Sequence, residues 1–88
     1  MPTLQMIDLN QIKCSFRRRI NPLLLESIND NGILNPISVR KITDGYEVII
    51  GVGRFLVARQ LNIKQIPCIV YKNISDSQLA EIRNYNSR

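Results

Sequence analysis

A small mixed α/β fold of the α+β kind, one β-sheet flanked by helices, is what the sequence predicts, and three observations carry it. An apolar–polar alternating run, Pro36 to Ile42, and a second, mostly apolar run, Tyr46 to Ile50, flank Asp44-Gly45, the signature of a β-hairpin. Directly after the second run come Gly51 and Gly53, then Phe55, Leu56, Ala58 and Leu61 at helical spacing. A helix over Arg54 to Leu61 therefore follows the strand through a glycine turn. Gln65 to Tyr71 is apolar nearly throughout, which predicts a strand buried on both faces and central in the sheet.

The remaining elements follow in chain order. Met6 to Ile12 reads as a short strand and a turn, and Lys13 to Ile20 as a basic, irregular stretch. Asn21-Pro22 is a helix cap followed by proline at the first helical position, so Leu23 to Asn31 is a helix, with Leu24, Leu25 and Ile28 on one stripe. Gly32 supplies its left-handed stop, and Ile33 is placed to pack back on the helix end. Ser75 and Gln78 form a capping box that opens a last helix to Arg83, with Leu79 and Ile82 facing inward. The core expected from these patterns comprises Leu24, Ile28, Val39, Ile49, Leu56, Ile69 and Ile82.

Composition narrows the function. Eighty-eight residues, 44% hydrophobic and 22% charged, suit one domain over residues 1–88. No apolar run reaches the ~18 to 20 residues of a membrane span, and the first residues do not have the order of a signal peptide, so a cytoplasmic protein is expected. There is no histidine, which removes the commonest general base and metal ligand, and no metal site is nominated. Asp44, Glu47, Asp76 and Glu81 are scattered singly and suggest no catalytic pair, so no catalytic residue is nominated. Cys68 lies in an apolar run and reads as a small buried hydrophobe, and a disulfide to Cys14 stays open.

The formal charge of +5 is unevenly spread, with Lys13, Arg17, Arg18 and Arg19 crowded together. These four, with Arg40, are the candidate contacts to DNA or another polyanion. A solvated basic loop is the plainer alternative. A second candidate site is Gly51, Val52, Gly53 and Arg54: a helix N-terminus presents unpaired N–H groups, glycine admits phosphate oxygens, and Arg54 can hold two oxygens at once. Ordinary turn chemistry, with Arg54 capping or salt-bridging on the surface, is the alternative here.

The succession Asn31-Gly32-Ile33, Asn35-Pro36-Ile37-Ser38-Val39-Arg40, Asp44-Gly45-Tyr46, Val48-Ile49-Ile50-Gly51, Arg54, Ala58, Leu61 and Ile66-Pro67-Cys68-Ile69-Val70 closely resembles the ParB N-terminal domain, over roughly residues 6 to 82. The resemblance implies the ParB/sulfiredoxin fold and a phosphate loop at Gly51 to Arg54. It also implies an arginine from the preceding basic stretch, best matched by Arg17, with Arg18 or Arg19 as alternatives. The implied ligand is CTP or ATP, with Mg²⁺ as its companion, in the service of DNA partition or processing. The implied partners are DNA and further domains of a larger ParB-like protein. Direct, non-specific DNA binding without nucleotide is the second reading, and a weak NTPase, nuclease or small-molecule kinase of the same superfamily the third. The chain departs from the family at Val52 and Gly53, where partition proteins carry glutamate and arginine, and Val52 stands where sulfiredoxins place their catalytic cysteine. The family's Glu-Asn-x-x-Arg motif would begin near Asn86, where this chain has no glutamate.

Overall fold

Local chemistry decides where the helices begin. In the computed structural model, which describes residues 2–16, 18–33 and 35–86, helix α1 (Pro22–Asn31) opens on Asn21, whose Oδ1 accepts the Leu23 N–H at 2.9 Å. Its end is Gly32, at φ 74°, whose N–H donates to the Ile28 carbonyl at 2.8 Å. Helix α3 (Asp76–Asn86) follows the expected capping box. Ser75 Oγ accepts the Gln78 N–H at 3.2 Å while Gln78 Oε1 accepts the Ser75 N–H at 3.0 Å.

Five strands, β1 (Thr3–Asp8), β2 (Ile12–Lys13), β3 (Ile37–Ile42), β4 (Gly45–Ile50) and β5 (Gln65–Tyr71), form one mixed sheet in the order β1-β5-β3-β4-β2. The β3–β4 hairpin and the β1–β5 pair are antiparallel, whereas β3–β5 and β2–β4 are parallel. A parallel pair requires a crossover, and helix α2 (Val52–Gln60) lies in it. Its Val52, Phe55, Leu56 and Ala58 pack with Ile37, Val39, Val48, Ile66, Cys68 and Val70 in the main core. Helix α1 packs on α2, and α3 lies against β4. Arg40, next to inward Val39 and so on the opposite sheet face, reaches Asp76 at the start of α3. The two longer-range helices therefore cover opposite faces.

Several boundaries differ from expectation. The first strand starts at Thr3 rather than Met6. It is an edge strand with Leu4 and Met6 exposed, so its first residues show no burial alternation to read. The expected turn is a 3-10 turn at Leu9–Gln11, and Lys13 belongs to β2, not to the irregular stretch. Gly45 is the first residue of β4, leaving Thr43-Asp44 as the two-residue connection. β5 is an interior strand between β1 and β3, but it is not buried on both faces: Ile66, Cys68 and Val70 are sealed under α2, while Pro67, Ile69 and Tyr71 stay half-buried. Of the expected core, Ile28, Val39, Ile49 and Leu56 are buried, whereas Leu24, Ile69 and Ile82 are half-buried. No helix among the described residues is long and apolar enough to cross a membrane.

Cys14 and Cys68 are both free thiols, Cys14 half-buried and Cys68 fully buried. Burial pushes the Cys68 thiol up to about 11. A thiol reagent applied to the native protein at neutral pH is therefore expected to modify Cys14 first and Cys68 only on unfolding. Equal rates at the two positions would contradict the packing of β5 against α2.

Candidate anion-binding cleft

The site begins with an irregularity in the hairpin. Val39 pairs with Val48 and Ser38 with Ile50, so Ile49 is one residue too many and forms a β-bulge. Bulges re-aim the chain, and here Ile49 and Ile50 both line the cleft that opens beyond β4. Gly51 follows in the left-handed region, φ 98° and ψ 29°, and serves as N-cap of α2. A β-carbon on Gly51 would stand 2.7 Å from Cγ2 of Ile37, so both its backbone angles and its space demand glycine.

Val52, Gly53 and Arg54 are thus the first turn of the helix, not a loop in front of it, and α2 starts two residues before the expected Arg54. The Gly51 carbonyl accepts the Phe55 N–H at 3.0 Å, the first bond of the helix. The N–H groups of Val52, Gly53 and Arg54 have no carbonyl one turn earlier to reach, and Gly51 has no side chain with which to cap them. Together they give the cleft a partial positive charge. Val52 contributes only its backbone, since its side chain is buried in the core. At Gly53 a β-carbon would lie 3.3 Å from Cδ2 of Leu24, which measures how closely α1 is pressed on this turn.

Around this turn lies a cleft of about 590 Å³, lined by the 51–54 turn, Ile49 and Ile50, by Leu24 of α1, by Phe16 and Arg18, and by Arg83 of α3. Among the described residues, three guanidinium groups and no carboxylate line it. Arg54 does more than face the cleft: its Nη1 donates to the carbonyls of Asn35 at 3.1 Å and Pro36 at 2.9 Å, tying α2 to the segment that enters β3. In place of the expected surface cap or salt bridge, Arg54 bonds to two backbone carbonyls and so helps to hold the fold.

The other sequence candidates are dispersed. Arg17 lies outside the described residues. Arg18 is exposed on the cleft wall, and Arg19 is exposed but not among the cleft's lining residues. Lys13 sits on β2, 3.7 Å from Asp44, and lines a different cavity of about 790 Å³ with Cys14, Phe55, Arg59 and Lys64. Arg40 is paired within the fold: its Nε donates to Glu47 at 2.8 Å and its Nη1 to Asp76 at 3.1 Å. Its charge is consumed within the fold. Sequence reasoning missed Phe16 and Arg83. For Arg83 a signal existed, since it lies four residues after buried Leu79 on the inward side of α3, where a charge is unexpected. Among the described residues no group of three or more acidic, cysteine or histidine side chains could hold a metal.

Comparison with known proteins bears on the family and the fold. The chain matches the model of the ParB N-terminal domain over residues 2–87. It is 42% identical over 65 residues to the probable chromosome-partitioning protein ParB of Vibrio cholerae, covering 68% of this chain and 22% of that protein. The chain thus spans about a fifth of the length of the curated relatives it matches. Its fold is that of the C-terminally truncated chromosome-partitioning protein ParB of Caulobacter crescentus in complex with CTP-γ-S. The TM-score is 0.80 at 23% identity, over 98% of this chain and 54% of that one. The sulfiredoxin of Arabidopsis thaliana shares it too, with a TM-score of 0.71 at 24% identity, over 92% of this chain and 97% of that one.

Three substitutions test this construction. Gly51→Ala combines left-handed strain with a clash on Ile37 and is expected to cost about 2 to 4 kcal/mol in denaturant unfolding. Gly53→Ala, which meets only the flexible end of Leu24, should cost far less. Arg40→Gln strips Glu47 of its pair and is expected to lower stability by about 1 to 2 kcal/mol in the same measurement. Unchanged stability would mean that the pairing with Glu47 and Asp76 contributes nothing to the fold.

Proposed function

We propose that this chain, which belongs to the ParB N-terminal domain family, binds the phosphates of a nucleotide in the cleft at the start of α2 and does so in the service of DNA partition. The observation that carries the reading is a cleft with no acid among its described lining residues, in which the uncapped first turn of α2 meets the guanidinium groups of Arg18 and Arg54. An anion entering there meets backbone N–H donors aligned with the helix dipole and side-chain cations at once. Gly51 and Gly53 leave room for Ile37 and Leu24 to close on this turn, which fixes where its N–H groups lie.

CTP is the favoured nucleotide, because the Caulobacter crescentus ParB of the same fold is complexed with CTP-γ-S. ATP is the alternative. Mg²⁺, if it enters, rides on the phosphates, which suits a cleft lined by cations and no carboxylate. The task asked of the cleft is binding, and it needs no general base. The relative from Vibrio cholerae is a probable chromosome-partitioning protein, and a cytoplasmic role beside DNA accords with that. The exposed Arg18 and Arg19 favour a second, compatible contact, with DNA backbone phosphates.

Titration calorimetry with CTP, ATP, ADP and GTP, each with and without Mg²⁺, tests the proposal, with CTP expected to bind most tightly. Arg54→Ala should weaken that binding by about 1.5 to 3 kcal/mol, the scale of a hydrogen bond to a charged group. It should also lower stability by about 1 to 2 kcal/mol, since the Asn35 and Pro36 carbonyls lose their donor. Arg54→Lys should recover part of the affinity, as a point charge cannot fork. Equal affinities for wild type and both variants, or no nucleotide bound at all, would refute the phosphate assignment.

A further inference from the structure

Resting on the nucleotide reading of the same cleft, we infer that Arg83 is a further phosphate-binding residue, supplied by α3 from the wall facing the first turn of α2, and that it makes the ligand a nucleoside polyphosphate rather than a monophosphate. Arg83 is half-buried, and a charged group so placed is normally paired with an opposite charge. Arg40, half-buried on the same side of the sheet, obeys that rule with two carboxylates. Arg83 does not: among the described residues it has no carboxylate partner. Its Nη2 donates to the Val48 carbonyl at 2.9 Å, and its Nε is buried without a hydrogen-bond partner.

The rest of its environment holds the group in place without neutralising it. The Phe16 ring stacks on the guanidinium, 4.8 Å from Cζ to the ring centroid, an attraction that leaves the outer N–H edge able to donate. The Val48 carbonyl that anchors it stands beside the β-bulge that turns β4 toward Gly51. Arg83 is therefore a guanidinium with donor capacity in reserve, fixed by a carbonyl and a ring on the wall of a cleft in which no described residue is acidic. Such a group is suited to an anion that arrives from outside. A single phosphate group seated on the first turn of α2 and on Arg54 already has its donors. Additional phosphate groups are what gives a third guanidinium, on a different element, something to hold.

Calorimetric titration of wild type, Arg83→Gln and Arg83→Lys with CTP and with CMP tests this, and thermal melts confirm that each variant is folded. Arg83→Gln is expected to weaken CTP by about tenfold or more, the effect of one charge-assisted hydrogen bond, and CMP by no more than about twofold. Arg83→Lys, which keeps the charge and guards against a Gln variant that fails to fold, should fall between. Equal weakening of CTP and CMP would mean that Arg83 only props α3 on β4. Unchanged CTP affinity, in a protein whose Arg54→Ala variant does lose it, would likewise overturn the inference while leaving the nucleotide reading intact. If wild type binds neither nucleotide, the nucleotide reading itself falls.

Discussion

Gly51 brings its backbone so close to Ile37 that a β-carbon there would stand 2.7 Å from Cγ2. That contact couples three elements. Ile37 opens β3, Gly51 closes β4, and α2 starts with the next residue, so the hairpin cannot shift in register without moving the helix. The bulge at Ile49 lets β4 reach this point, because a regular ladder would put only one of Ile49 and Ile50 on the cleft side. The left-handed turn at Gly51 then swings the chain from the sheet onto its α2 face, with the first N–H groups of the helix turned to the cleft.

Electrostatics divides the arginines by what surrounds them rather than by where they fall in the chain. Arg40 has two carboxylates and serves the fold, pinning the hairpin to the start of α3. Arg54 and Arg83 have carbonyls instead, from Asn35 and Pro36 in one case and Val48 in the other, so each is held in place with no carboxylate partner among the described residues. Holding a cation with neutral acceptors leaves its field directed at whatever anion occupies the space beside it. Two such groups meet in one cleft because the beginning of α2 and the body of α3 flank the same strand, β4.

Much of the architecture was readable from short-range chemistry. Asn21-Pro22 and Ser75 with Gln78 mark helix starts because their bonds close within three residues, and the structure has both. The hairpin at Asp44 and the glycine turn at Gly51 were legible for the same reason. The misreadings concern sidedness and edges. β5 looks buried on both faces because Ile66 to Val70 contains no charge, yet α3 lies against β4 and leaves Pro67 and Ile69 half-covered. β1 was cut short because an edge strand with exposed Leu4 and Met6 carries no alternation.

Sequence by itself determined the fold class, the helix caps, the turn at Gly51 and the family, since each depends on residues near one another in the chain or on their order along it. Only the tertiary structure decided which cations face the cleft. Arg40 and Arg83 lie 43 residues apart, the difference of their numbers, and are both half-buried arginines on the α3 side of the sheet. What separates them is that Glu47 and Asp76 come to one and not to the other. Neutralisation of a charge depends on distances of a few ångströms between groups remote in sequence, and those distances exist only once β4, α2 and α3 are packed together.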